Sequence, residues 1–112
     1  MKEKLLKVIN CFGIRNQFKK ISTKEKLLKI INHFGIRNQL KKLNEECYEL
    51  IEAVNYYELK EIIEEVADVQ VLLNEIKAYY GVSNEIEEKV MLYKIDRTLE
   101  RIESGYYEKE SE

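Results

Sequence analysis

Two short acidic patterns carry the chemistry that this sequence can offer: Glu46-x-x-Glu49 and Glu65-x-x-Asp68. Residues three apart on a helix are neighbours on one face. Each pattern therefore turns two carboxylates to the same side, where they can grip a hard cation or handle a proton. In one straight helix Glu46 and Glu65 would stand about 28 Å apart, at about 1.5 Å per residue, and could share nothing. A turn at Tyr57 changes this. Glu49 lies eight residues before it and Glu65 eight after, while Glu46 and Asp68 lie eleven before and eleven after. An antiparallel hairpin brings Glu49 level with Glu65 and Glu46 level with Asp68, so that four carboxylates converge.

The wheel positions sharpen the point. Advancing by about 100° per residue, Leu43, Cys47, Leu50 and Val54 fall on one flank of Glu46, with Ala53 close on the other. Glu65 falls between Leu72 and Ile76, and Asp68 just beyond Leu72. Carboxylates crowded at the rim of an apolar core repel one another and lose hydration unless protonated or neutralised. A divalent cation is the simplest neutraliser. Oxygen-only ligands select a hard one, Mg²⁺ with Mn²⁺ as substitute. A di-iron bundle site would require Glu-x-x-His pairs, and His33, the only histidine, belongs to neither pattern. Glu45, Glu52, Glu58 and Glu64 are expected to face solvent.

The elements that must position these acids are helices. The 112 residues include no proline and only four glycines, with 45% hydrophobic and 36% charged residues, so the backbone ladder meets few interruptions and a core can form. Ser22 with Glu25 reads as a capping box, and Gly35 as the break before a helix over about 36–54. Asn55 to Tyr57 form the turn, a third helix over 58–80 ends at Gly81, and Asn84 with Glu87 opens a fourth that reaches about residue 102. Residues 104–112 read as a frayed tail. The formal charge of −2 is too balanced for bulk attraction to a nucleic-acid polymer. No apolar run is long enough for a membrane helix, and the start lacks a secretory signal. Cys11 and Cys47 lack metal-site or redox spacing and read as buried free thiols. A cytoplasmic location is expected.

Residues 2–22 return at 24–44 with 16 of 21 positions identical. Two units are too few for a solenoid. Only the second copy runs into the acidic stretch. The division expected is a duplicated helical segment at 1–22, a helical domain at 23–105 and a flexible tail at 106–112.

The runs NQLKKLNEECYELIEAV and EIIEEVADVQVLL, with ExxE and ExxD on successive helices, resemble the MazG-like members of the all-α nucleoside triphosphate pyrophosphohydrolase superfamily. The likeness covers about residues 24–105. It implies an all-α, four-helix-bundle-like fold with the duplicated helix as an extra, and Mg²⁺-dependent hydrolysis of a (deoxy)nucleoside triphosphate to the monophosphate and pyrophosphate. By motif, Glu46, Glu49, Glu65 and Asp68 would be the catalytic metal ligands. Lys94 and Arg97, in a basic stripe with Arg101, would contact phosphate, and Asn38 and Gln39 would face the nucleotide. A homodimer or homotetramer is the arrangement usual among the relatives. The competing reading is a non-catalytic helical module that binds a nucleotide or another protein, in which the acids only solvate a Leu/Ile seam.

Overall fold

The computed structural model describes residues 21–111, and every regular element among them is a helix: α1 (Thr23–Phe34), α2 (Ile36–Tyr56), α3 (Leu59–Tyr80), α4 (Asn84–Glu103) and α5 (Tyr106–Ser111). The fold is all-α, as the composition requires. The extra N-terminal helix expected over the duplicated segment, and Cys11 within it, lie outside the described residues.

The chain divides at Tyr80 into two compact units. In the first, α2 and α3 pair along their length, and α1 packs on both of them, more extensively on α3. The helix ends follow from local chemistry. Ser22 caps α1 by accepting a hydrogen bond from the Glu25 amide at 3.1 Å, which satisfies one of the orphan donors of the first turn. Gly35, at φ 87°, takes a conformation closed to most L residues, and its amide closes α1 onto the Ile31 carbonyl at 2.8 Å. The side chain of Asn38 then reaches back from α2 to donate to the Phe34 carbonyl at 2.7 Å. The hairpin turns on Tyr57, a left-handed residue at φ 52° that ends α2, and α3 begins two residues later.

In the second unit α4 and α5 pack together. The cap of α4 is Ser83, which accepts from the Ile86 amide at 3.3 Å, and Asn84 is the first helical residue. The expected box on Asn84 and Glu87 is thus replaced by a simple cap one position earlier, because two adjacent residues can both cap and the first does so, which puts Ile86 where a box would need a carboxylate or amide. Where a frayed tail is expected, Gly105 at φ 75° turns the chain into α5. Arg97 lies over the Tyr93 ring at 5.6 Å and Arg101 over the Tyr106 ring at 4.7 Å, so part of the basic stripe is braced on aromatic faces.

The interior has an unusual make-up. Among the described residues, the buried apolar ones are Ile31, Ala53 and Leu72, while Gln39, Glu46, Glu64, Glu65 and Glu75 are also buried. All belong to α1–α3. Ionisable side chains are rarely withdrawn from water without a compensating partner. Meanwhile Ile51, Val54, Leu59, Ile63 and Val66 on the α2–α3 hairpin are about half exposed or more.

Candidate metal centre

The centre is assembled from the facing sides of α2 and α3. Glu46 is buried at 6% exposure and Glu65 at 9%, and each offers a carboxylate oxygen within 4.8 Å of the other and of one from Glu49. Glu49 is exposed to solvent, which leaves the cluster open on one side. The hairpin register thus joins both halves of the acidic pattern. Glu49 meets Glu65 as the residue count expects, and Glu46 joins the same cluster although the count had set it level with Asp68. Asp68 is half-buried one turn further along α3 and lines the same cleft.

That cleft has a volume of about 860 Å³. Its acidic end carries Glu45, Glu46, Glu49 and Asp68, with Lys41 and Lys42 beside them. Its other part is formed by Phe34, Asn38 and Gln39 opposite Val71, Leu72 and Glu75. Apolar walls with a few convergent polar groups are the usual make-up of a small-molecule site.

The electrostatics of Glu46 show what such a site needs. Its Oε1 receives the Lys42 ammonium at 3.2 Å, one helical turn away. Its Oε2 is buried with no hydrogen-bond partner among the described residues. Burial pushes the Glu46 carboxyl up, but hydrogen bonds shared with Glu65, Lys42 and Glu49 outweigh this and hold it below the usual carboxylate range. The Lys42 ammonium, bonded to Glu46, is held above its ordinary value. An all-oxygen set of three carboxylates with one oxygen of Glu46 lacking a donor fits a hard dication.

Asn38 and Gln39 both line the cleft, but in different states. The Asn38 amide nitrogen is committed to the end of α1. The Gln39 side chain is buried and donates through Nε2 to Glu75 Oε1 at 2.7 Å. Lys94 and Arg97 lie on α4, in the second unit.

Two residues of this region went unread in the sequence. Glu64 is buried, against the expectation of a solvated side chain. Glu75 is 2% exposed and lines the cleft. The signal for Glu75 was present: it follows Asp68 by seven residues, two helical turns, and so shares its face. Cys47 is a half-buried free thiol, and His33 is exposed with its ring edge-on to Phe34. No helix among the described residues is long and apolar enough to cross a membrane.

Residues 34–79 match the family described as the MazG nucleotide pyrophosphohydrolase domain. No curated protein and no solved structure gives a significant match. The matched segment runs from the end of α1 to the end of α3 and contains the whole acidic cluster.

Proposed function

We propose that this chain, which belongs to the MazG-like superfamily through its residues 34–79, is a Mg²⁺-dependent pyrophosphohydrolase that converts a (deoxy)nucleoside triphosphate to its monophosphate and pyrophosphate. The observation that carries the reading is the meeting of Glu46, Glu49 and Glu65, the first two of which line a cleft large enough for a nucleotide.

Glu46, Glu49 and Glu65, with Asp68 close by, would hold the cation. Bound there, Mg²⁺ or Mn²⁺ supplies charge neutralisation to the polyphosphate and acidifies a coordinated water. The chain's own residues do the rest. A triphosphate carries several negative charges, and catalysis of its hydrolysis is largely positioning and electrostatics. Lys41 and Lys42, on the cleft beside the acids, favour its phosphates. Lys94 and Arg97 are assigned as further phosphate contacts on the family resemblance. Asn38 and Gln39 face the nucleoside. The proton of the attacking water passes to a cleft carboxylate, and Glu45, exposed in the same cleft, is our choice for it.

The exposed apolar residues of the hairpin, Ile51, Val54, Leu59, Ile63 and Val66, support a homodimer or homotetramer, since contiguous apolar surface of this kind favours association. We place the protein in the cytoplasm and assign it neither a nucleic-acid polymer nor a membrane as partner. The test is release of pyrophosphate from a panel of nucleoside triphosphates with Mg²⁺, with Mn²⁺ and with chelator. Metal-dependent pyrophosphate release from at least one nucleotide is expected. Nucleotide binding without turnover would favour the non-catalytic module.

A further inference from the structure

Beyond the acids, the cleft holds a second polar feature. Gln39 and Glu75 are buried at 7% and 2% exposure, come from opposite walls and are joined by a 2.7 Å hydrogen bond. Gln39 precedes Glu46 by seven residues and Glu75 follows Asp68 by seven. Two helical turns, about 10 Å, therefore separate the pair from the acidic end on both helices. This is the scale on which a nucleotide's base edge stands off from its α-phosphate. Around the pair are Val71 and Leu72 as apolar wall and Phe34, half exposed, as an aromatic face.

The bond between the two fixes what the pair has left to offer. Gln39 spends one N–H on Glu75, which orients the amide. A carbonyl oxygen and one N–H remain on Gln39, and the second carboxylate oxygen remains on Glu75. Two acceptors and one donor complement a base edge with two donors and one acceptor. Guanine has that edge, with N1–H and the 2-amino group beside O6. Thymine and uracil have the opposite one, a single N–H between two carbonyls, and would set oxygen against oxygen. A buried acceptor left facing an acceptor forfeits its own solvation without return, which is how polar sites reject the wrong ligand.

We infer that Gln39 and Glu75 form the base-reading end of the cleft and select a guanine-type edge. This rests on the nucleotide reading above and adds the base to it. Glu75 is a specificity residue here, not a metal ligand, and Phe34 supplies the stacking face.

The experiment is calorimetric titration of the full chain, in Mg²⁺, with dGMP, dAMP, dCMP, dTMP and dUMP. Monophosphates are not turned over, so binding is read without activity. Expected is dGMP as the tightest, at least tenfold tighter than dTMP or dUMP. Glu75→Gln should weaken dGMP at least tenfold and leave dTMP within twofold. A flat ranking, a preference for thymine or uracil, or an equal loss for all five in the variant overturns the inference. The wild-type ranking decides even where the variant does not fold. Pyrophosphate release from triphosphates is measured alongside. A guanine preference with no release from any triphosphate removes the hydrolase reading and keeps this one, while release with no base preference does the reverse.

Discussion

The Lys42 ammonium sits 3.2 Å from Glu46 Oε1, one turn upstream on the same helix, and Lys42 is half exposed where Glu46 is buried. The pair is lopsided. Its buried member has lost most of its hydration, and its cation is free to swing away into water.

The two shifts set the pH window in which this pair stabilises the fold. Glu46 is held below the ordinary carboxylate range, so its contribution is present above about pH 4.3 and is lost as pH falls through its folded value. Lys42 is held above its ordinary value, so its share is complete below about pH 10.4 and is lost as pH rises through the folded value. Lys42→Met should cost about 1 kcal/mol at neutral pH without metal, a modest figure because the lysine end is screened by water. Urea unfolding from acid to alkali checks it. The difference between wild type and variant should be flat across about pH 5–10 and shrink beyond both ends. A difference that grows toward pH 3 would contradict the assignment.

Removing single acids tests the centre directly. Glu49→Gln and Asp68→Asn should each reduce Mg²⁺-dependent pyrophosphate release at least tenfold while circular dichroism stays helical. Glu49 is exposed and Asp68 half-buried, so neither change should unfold the chain. In wild type, Mg²⁺ at a hundred times its dissociation constant should add about 2.7 kcal/mol of stability by mass action. Thermal melts with and without the metal measure this, and Glu49→Gln should abolish most of the gain. Acids indifferent to Mg²⁺ would mean a solvated helix face.

The hairpin turn offers a change that should leave the site alone. Tyr57 occupies a left-handed conformation at φ 52° and is 87% exposed, so its side chain contributes little packing to offset the backbone strain. Glycine takes this conformation freely, although it loses more chain entropy on folding. Tyr57→Gly should raise stability by about 0.5–1 kcal/mol in chemical denaturation, with catalytic rate unchanged.

The exposed hairpin residues predict assembly. Light scattering should give a mass of two or four protomers, and Ile63→Lys, on the half-exposed apolar face of α3, should shift it toward one. Removing residues 1–22 tests whether the duplicated segment extends that interface. An unchanged mass and melting temperature would deny it the role.

Most of what positions the site was legible in the sequence because local chemistry decides it. Ser22, Gly35 and Gly81 act within one helical turn, so the ends of α1 and α3 fall where their residue types require. The meeting of Glu49 and Glu65 followed from counting residues to either side of Tyr57, whereas the same count set Glu46 level with Asp68 and not with Glu65. What escaped depends on neighbours remote in sequence. Glu64 looks like any solvated helical glutamate, and only the packing of the folded chain withdraws it from water. Glu75 shares the face of Asp68, yet nothing local foretells that Gln39, 36 residues earlier, will bond to it. The cap at Ser83 was missed for a smaller reason, the choice between two adjacent residues that can both do the work.

The wall of the cleft built from Phe34, Asn38, Gln39, Lys41 and Lys42 lies wholly inside the second copy of the repeat, and each of the five is matched in the first by Phe12, Asn16, Gln17, Lys19 and Lys20. The five positions at which the copies differ fall instead at Ile30, His33, Leu40, Leu43 and Asn44, none of them buried. The gene therefore encodes these five residue types at this spacing twice. A recombination that excised residues 2–23 would leave Lys24 and everything downstream reading as it does now, so one copy can be lost in a single event that keeps the acids and forfeits the Ser22 cap of α1.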